Sequence, residues 1–286
     1  MPRTHVIGAG MAGLACAVRL ARAGEAVTLY EAAPQAGGRC RSYYDEQLER
    51  TVDNGNHLLL SANTSALAFL EETGGRASLS APPGASFPFV DLTDGTRWTL
   101  RPTAGPLPLW VFLRRRRVAG AGAWAHLSSL RDAMFGEGET VQARLGAPGT
   151  AMWERLWKPL SISIMNTEPE AASADLLRAV LAETLAKGGA RAKPLTPVKS
   201  LSDTFVDPAL ATLEGHGATL RLQTRLRRFE GDGQALTGLG FTDGEVALER
   251  GDRVVLAVPP QVFVPVMLGI VAVTMLPLAL RAWPRG

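Results

Sequence analysis

The feature that most constrains this chain is its beginning, residues 3–41, RTHVIGAGMAGLACAVRLARAGEAVTLYEAAPQAGGRCR. A short apolar strand, His5 to Ile7, runs at once into Gly8, Gly10 and Gly13 in a GxGxxG spacing. Apolar residues then recur at helical spacing through Leu14, Val18 and Leu20, Gly24 marks the helix end, and a second strand, Ala26 to Tyr30, ends in Glu31. Strand, glycine turn, helix, strand and acid is the order that a dinucleotide-binding βαβ unit requires. The chemistry follows from the spacing. Gly8 permits a tight turn, Gly10 lets the backbone approach a pyrophosphate, and Gly13 lets helix and strand pack closely. The first turn of the helix, Met11 and Ala12 included, offers its N–H groups to the phosphates. Glu31, about 18 residues past Gly13, stands where an acid accepts hydrogen bonds from a ribose hydroxyl.

Which dinucleotide is decided just downstream. Gly37-Gly38-Arg39, with Arg41 and Ser42 behind it, follows the second strand after a short linker. An NAD domain has no particular need of a second glycine pair there. A bulkier cofactor held across the domain does, because glycines allow close approach and an arginine pairs with phosphate oxygens. GxGxxG, the acid, GGRxxS and then Asp53-Asn54-Gly55-Asn56-His57 resemble the N-terminus of the FAD-dependent amine oxidase and phytoene desaturase superfamily. That resemblance implies FAD as cofactor, with Gly38 and Arg39 beside the phosphates and Gly55 and His57 along the isoalloxazine and ribityl part. For His57 the plain alternative is a histidine satisfied beside a turn. The fold implied is α/β, a Rossmann-like FAD-binding domain of glutathione-reductase type interrupted by an α+β substrate domain.

At 286 residues the chain has room for two domains. The net charge of +3 is small, so nothing global argues for nucleic acid. Cys16 and Cys40 stand at no metal-ligand spacing and read as small packing residues in a reducing compartment. No metal site and no Ser-His-Asp order is found, and no catalytic side chain is assigned. The N-terminus enters the first strand directly without a signal peptide, which places the chain in the cytoplasm.

The domain reading is 1–80 for the first part of the FAD domain, 81–200 for the substrate domain, 201–260 for the second part, and 261–286 for an atypical tail. Within the first part, TVDNGNHLLLS reads as strand, turn, strand about Asn54-Gly55, and Ser65 to Thr73 as a helix stopped by Gly74-Gly75. In the substrate domain, Phe87 to Leu92 and Arg97 to Leu100 read as a hairpin around Asp94-Gly95. Trp110 to Leu113 then runs into Arg114 to Arg117. Four arginines beside an aromatic-apolar patch suit peripheral docking at an anionic membrane, the inner face of the cytoplasmic membrane. A solvated helix end is the bland alternative. Residues 151–186 read as two helices broken at Asn166-Thr167 and Pro169, with Trp153, Leu156, Trp157 and Leu160 on a core face. Gly217 to Phe229 reads as one alternating strand, Ala235 to Phe241 and Gly244 to Leu248 as a hairpin, and Arg253 to Val258 as a buried strand.

The run LWKPLSISIMNTEPEAAS, together with DNGNHLLL, closely resembles signatures of the hydroxysqualene dehydroxylases, squalene-associated flavoenzymes of hopanoid synthesis. The resemblance covers most of Arg3 to Pro260. It implies an isoprenoid substrate, reductive dehydroxylation of hydroxysqualene to squalene, and a backbone contact to the adenine at Leu226, where an ordinary strand residue makes the same apolar demand. Two rivals stand beside it: a carotenoid-type desaturase or amine oxidase with FAD, and an inactive truncated remnant. After Pro260 the family pattern is not found. Residues 262–280, VFVPVMLGIVAVTMLPLAL, carry no charge and have about the length of a membrane span, with prolines that make a poor helix. A truncated or frame-shifted product is the first account of this tail, a C-terminal anchor the second and a buried helix the third.

Overall fold

The computed structural model describes residues 2–55, 58–232 and 235–262. His57 and nearly all of the apolar tail therefore lie outside the described residues. The chain divides into two compact units, one formed by Met1–Asn56, Ala66–Leu79 and Pro197–Gly286, the other by His57–Ser65 and Ser80–Thr196.

The first unit is built on a parallel sheet. Strand β1, Arg3–Ile7, pairs with β2, Ala26–Tyr30, on one side and with Arg253–Leu256 on the other; Thr219–Arg221 adds to β2. Four of the five residues in each of β1 and β2 are buried, the continuous apolar run expected of a parallel strand covered on both faces. The crossover between them is α1, Met11–Arg22, which buries Gly13, Leu14, Ala17, Val18 and Ala21 on one face. A three-stranded antiparallel meander, Leu226–Gly231, Leu236–Phe241 and Gly244–Ala247, packs through Leu226, Phe229, Leu239 and Phe241 onto Ile7 and Tyr30. The Tyr30 and Phe241 rings stack there with centroids 4.4 Å apart.

Three strand expectations are corrected. The hairpin in the first part pairs Ser42–Asp45 with Arg50–Asp53, so its turn lies at residues 46–49, where Glu49 takes φ 51°. Asn54-Gly55 is only a bend, and Leu59–Leu60 pairs with Pro194 and Leu195 in the second unit. Residues 217–229 form two strands in two sheets, because Gln223 takes a left-handed φ of 55° and turns the chain between them. Arg253–Leu256 is half-buried rather than buried, being the last strand of the four-stranded order among the described residues.

The second unit has a core of Trp110, Val111, Trp153, Leu156, Trp157, Leu177 and Leu181, with Leu160 packed against it. The helical segment of residues 151–165 makes a π-turn at Trp153–Trp157, continues as Lys158–Met165 and stops where Asn166 takes φ 49°. Its tryptophans are core residues. The apolar patch beside the arginines is split: Trp110 and Val111 are buried, whereas Phe112 and Leu113 are exposed. The arginines occupy a short 3₁₀ turn, Arg114–Arg116, and not a helix end. No described helix is long and apolar enough to cross a membrane.

Candidate cofactor site

The glycine turn separates into two kinds of position. Gly8 sits at φ 103°, and a Cβ there would lie 2.5 Å from the Ala257 carbonyl oxygen. A Cβ at Gly13 would lie 1.8 Å from the Gly8 oxygen. Both glycines are demanded by the fold itself. Gly10 is different: its φ of −73° is open to any residue, and a Cβ there would meet nothing within 4 Å. The space in front of Gly10 is free, and it lies at the N-terminus of α1.

That N-terminus is prepared for an anion. Gly10 is the N-cap and supplies no side-chain cap, and the first turn holds no acidic residue. The first backbone bond closing the helix runs from the Leu14 amide to the Gly10 oxygen at 2.9 Å. The positive end of the helix and its first-turn amides, those of Met11, Ala12 and Gly13, thus face the open space without a competing carboxylate of their own.

The second glycine pair is laid against the first. The Gly37 amide donates to the Ala9 oxygen at 2.7 Å, Gly10 and Gly37 form a parallel bridge, and a Cβ at Gly38 would stand 3.2 Å from the Gly10 Cα. Both residues have positive φ, 104° and 56°. Gly37-Gly38 therefore serves close backbone approach to the turn, and it carries Arg39 to its edge. Arg39 is exposed, with no acidic partner at ion-pair distance among the described residues. The Asn54 side chain donates to the Arg39 oxygen at 3.5 Å and the Asn54 amide to the Arg41 oxygen at 3.0 Å, which brings the bend holding Gly55 beside this loop.

Glu31 follows the end of β2. One carboxylate oxygen accepts from the Ala9 amide at 2.8 Å and the other from the Ala33 amide at 2.9 Å. The acid is thus locked beside the glycine turn, and each oxygen keeps a further lone pair for a hydroxyl. Neither amide contact was legible from residue spacing. The Thr224 amide donates to the Glu31 backbone carbonyl oxygen at 2.8 Å, which ties this acid to the segment leading into Leu226, a buried residue that pairs with Phe241. The structure accordingly gathers Gly8, Gly10, Met11, Ala12, Gly13, Glu31, Gly38 and Arg39 in one place, with Gly55 and Leu226 on segments bonded to it.

Burial, and then the nearby Asp53 carboxylate, push the Cys40 thiol up to about 11, and burial also raises Cys16, so neither is a poised thiolate. Among the described residues no cluster of His, Cys, Asp and Glu could hold a metal ion. An open cradle at an uncapped helix N-terminus, an acid beside it and an arginine without an acidic partner fit the adenosine diphosphate part of a dinucleotide.

The family model for flavin containing amine oxidoreductases matches residues 11–278, which extends past Pro260, where the sequence reading ended its resemblance. Hydroxysqualene dehydroxylase of Sinorhizobium fredii is 40% identical over 91% of this chain and 63% of its own length. A probable zeta-carotene desaturase of Synechococcus elongatus is 28% identical over 87% of this chain and 56% of its own. A solved oxidoreductase from Methanosarcina mazei superposes with a TM-score of 0.60 at 16% identity, covering 89% of this chain and 58% of that one. The chain spans less than two thirds of the length of each of these.

Proposed function

This chain belongs to the flavin-containing amine oxidoreductase family, and on that premise we propose that it contributes to the reductive dehydroxylation of a long isoprenoid alcohol, hydroxysqualene, to squalene. Flavin is the cofactor class of the family, and the dinucleotide turn makes that flavin FAD. The open space before Gly10, at an uncapped helix N-terminus, is the observation that carries the cofactor assignment. The 40% identity to hydroxysqualene dehydroxylase over nearly the whole chain supports the substrate class.

In the reaction the hydroxyl leaves as water and a hydride takes its place on the same carbon. Reduced FAD, when bound, would supply that hydride and, on its oxidation to FAD, the proton with which the hydroxyl leaves as water. This chain's residues do the holding: the first-turn amides and Arg39 take the phosphates, and Glu31 takes the ribose hydroxyls. Gly8 and Gly13 keep the turn tight enough for those groups to converge. Gly55 and Leu226 extend the site toward the remaining parts of the cofactor, and His57, which lies outside the described residues, is proposed there from the sequence resemblance alone. The sequence expectation put the substrate part at 81–200; we assign it to the second unit, whose main segment is Ser80–Thr196. Product analysis tests the reading. Chain supplied with FAD, a reductant and hydroxysqualene should form squalene, whereas conversion of a carotenoid precursor instead would favour the desaturase that the Synechococcus protein represents. A substrate of this kind resides in the bilayer, and we place the protein in peripheral contact with the inner face of the cytoplasmic membrane.

A further inference from the structure

We propose that the arginine-lined cavity of the second unit is a docking site for the phosphate headgroups of an anionic lipid surface, an assignment that rests on the peripheral-membrane reading above. The cavity has a volume of about 600 Å³ and is lined by Arg97, Trp98, Arg114, Arg115 and Arg117 together with Thr99 and residues 118–122. Arg97, Arg114 and Arg115 are exposed and Arg117 is half-buried. Among the described residues none of the four has a carboxylate at ion-pair distance. The acids of the neighbouring hairpin are already engaged: Asp91 and Asp94 lie 3.1 and 2.7 Å from Arg155. Four like charges gathered without a counter-charge repel one another, and an external anion relieves that repulsion. Guanidinium forks match the oxygens of a phosphate ester in particular.

An apolar flank adjoins the charge. Leu107, Leu109, Phe112 and Leu113 are 66%, 57%, 58% and 51% exposed. Their backbone is pinned. Trp110 and Val111 anchor the turn in the core, and the Leu113 amide donates to the Trp110 oxygen at 3.0 Å. The Arg101 amide donates to the Arg116 oxygen at 3.0 Å, and the Arg117 guanidinium to the Val111 oxygen at 3.1 Å. A fixed segment thus presents apolar side chains next to a basic cluster, matching the order of a bilayer interface, acyl chains beneath charged headgroups. A soluble anion would satisfy the arginines and leave those four apolar side chains in water.

The experiment is sedimentation of the full chain with vesicles of phosphatidylcholine alone and of phosphatidylcholine with about one-third phosphatidylglycerol. The anionic lipid should raise binding. Arg114→Gln/Arg115→Gln should lower that increment by about thirtyfold, roughly fivefold per arginine, while Arg114→Lys/Arg115→Lys keeps most of it. Arg76→Gln/Arg250→Gln, with the same loss of charge at exposed positions elsewhere, should leave it in place. Phe112→Ser/Leu113→Ser should weaken binding to the anionic vesicles with the charge unchanged. If the increment survives Arg114→Gln/Arg115→Gln, or falls equally in the remote pair, this site is wrong while the membrane reading stands. No binding to either vesicle overturns both. Binding of soluble pyrophosphate that Gly10→Val keeps and Arg114→Gln/Arg115→Gln loses, without any anionic-lipid increment, makes the cavity a soluble-anion site and overturns the lipid assignment.

Discussion

Replacing Gly10 separates what the fold needs from what the cofactor needs. Gly10→Val places a branched side chain at a backbone of φ −73°, where a Cβ meets nothing within 4 Å. The cost to the fold is then confined to the weaker N-cap preference of valine, about 1 kcal/mol. Gly13→Ala is the reverse case. Its Cβ would fall 1.8 Å from the Gly8 oxygen, a backbone atom, so α1 must move off β1 at a cost of about 3 kcal/mol or more. For the cofactor the order inverts. The valine fills the space in front of the helix N-terminus and displaces the pyrophosphate from its amides. Two charge-assisted hydrogen bonds at about 1.5–3 kcal/mol each correspond to FAD affinity roughly a hundredfold to ten-thousandfold weaker. Thermal unfolding followed by circular dichroism, beside a flavin-fluorescence titration, reads both quantities. Gly10→Val should melt close to the parent and fail to bind; Gly13→Ala should melt far lower. A Gly10→Val chain that binds FAD like the parent would refute the cradle and leave the fingerprint as a structural turn.

Glu31→Ala should weaken FAD by about ten- to a hundredfold through the lost ribose bond, and should also lower stability by about 1–3 kcal/mol, because the Ala9 and Ala33 amides lose their acceptor. A titration and a denaturant melt of the same sample check the two effects, and a change in neither would remove Glu31 from the site. Arg39→Lys keeps the charge and loses the planar fork, so isothermal titration with FAD should report a larger loss than for an exposed arginine elsewhere, with the melt unchanged. His126 accepts from the Val118 amide at Nε2 and faces the Gly122 oxygen from Nδ1, at 3.1 and 2.8 Å. Burial, foremost, holds its pKa below the ordinary 6.5. The unfolded chain therefore takes the proton first, and this contribution to stability is whole above pH 6.5 and lost as pH falls below it. NMR titration should place His126 below 6.5, and a value above would contradict the assigned geometry.

The nucleotide-binding half was readable because its constraints are local. Gly8, Gly10, Gly13 and Glu31 are tied to one another within a single βαβ unit, and spacing alone is enough to predict the turn and the acid beside it. What escaped depends on distant partners. Asn54-Gly55 is a strong turn signal, yet Leu59 and Leu60 find their strand partners at Leu195 and Pro194, which no nearby residue announces. Gln223 adopts φ 55° without being glycine, asparagine or aspartate, so an apparently continuous alternation conceals a break. Trp110 and Phe112 belong to one apolar run, but a 3₁₀ turn buries the first and exposes the second. Glu31 was chosen for a ribose, and its bonds to Ala9 and Ala33 emerge only once the strand end meets the glycine turn.

The most direct test of the cofactor site is competition between nucleotides for the purified chain. FAD should bind saturably, with ADP displacing it and riboflavin failing to do so, because the glycine turn, Glu31 and Arg39 grip the adenosine diphosphate half. Saturable FAD binding that ADP cannot displace, or that riboflavin displaces equally well, would contradict the account.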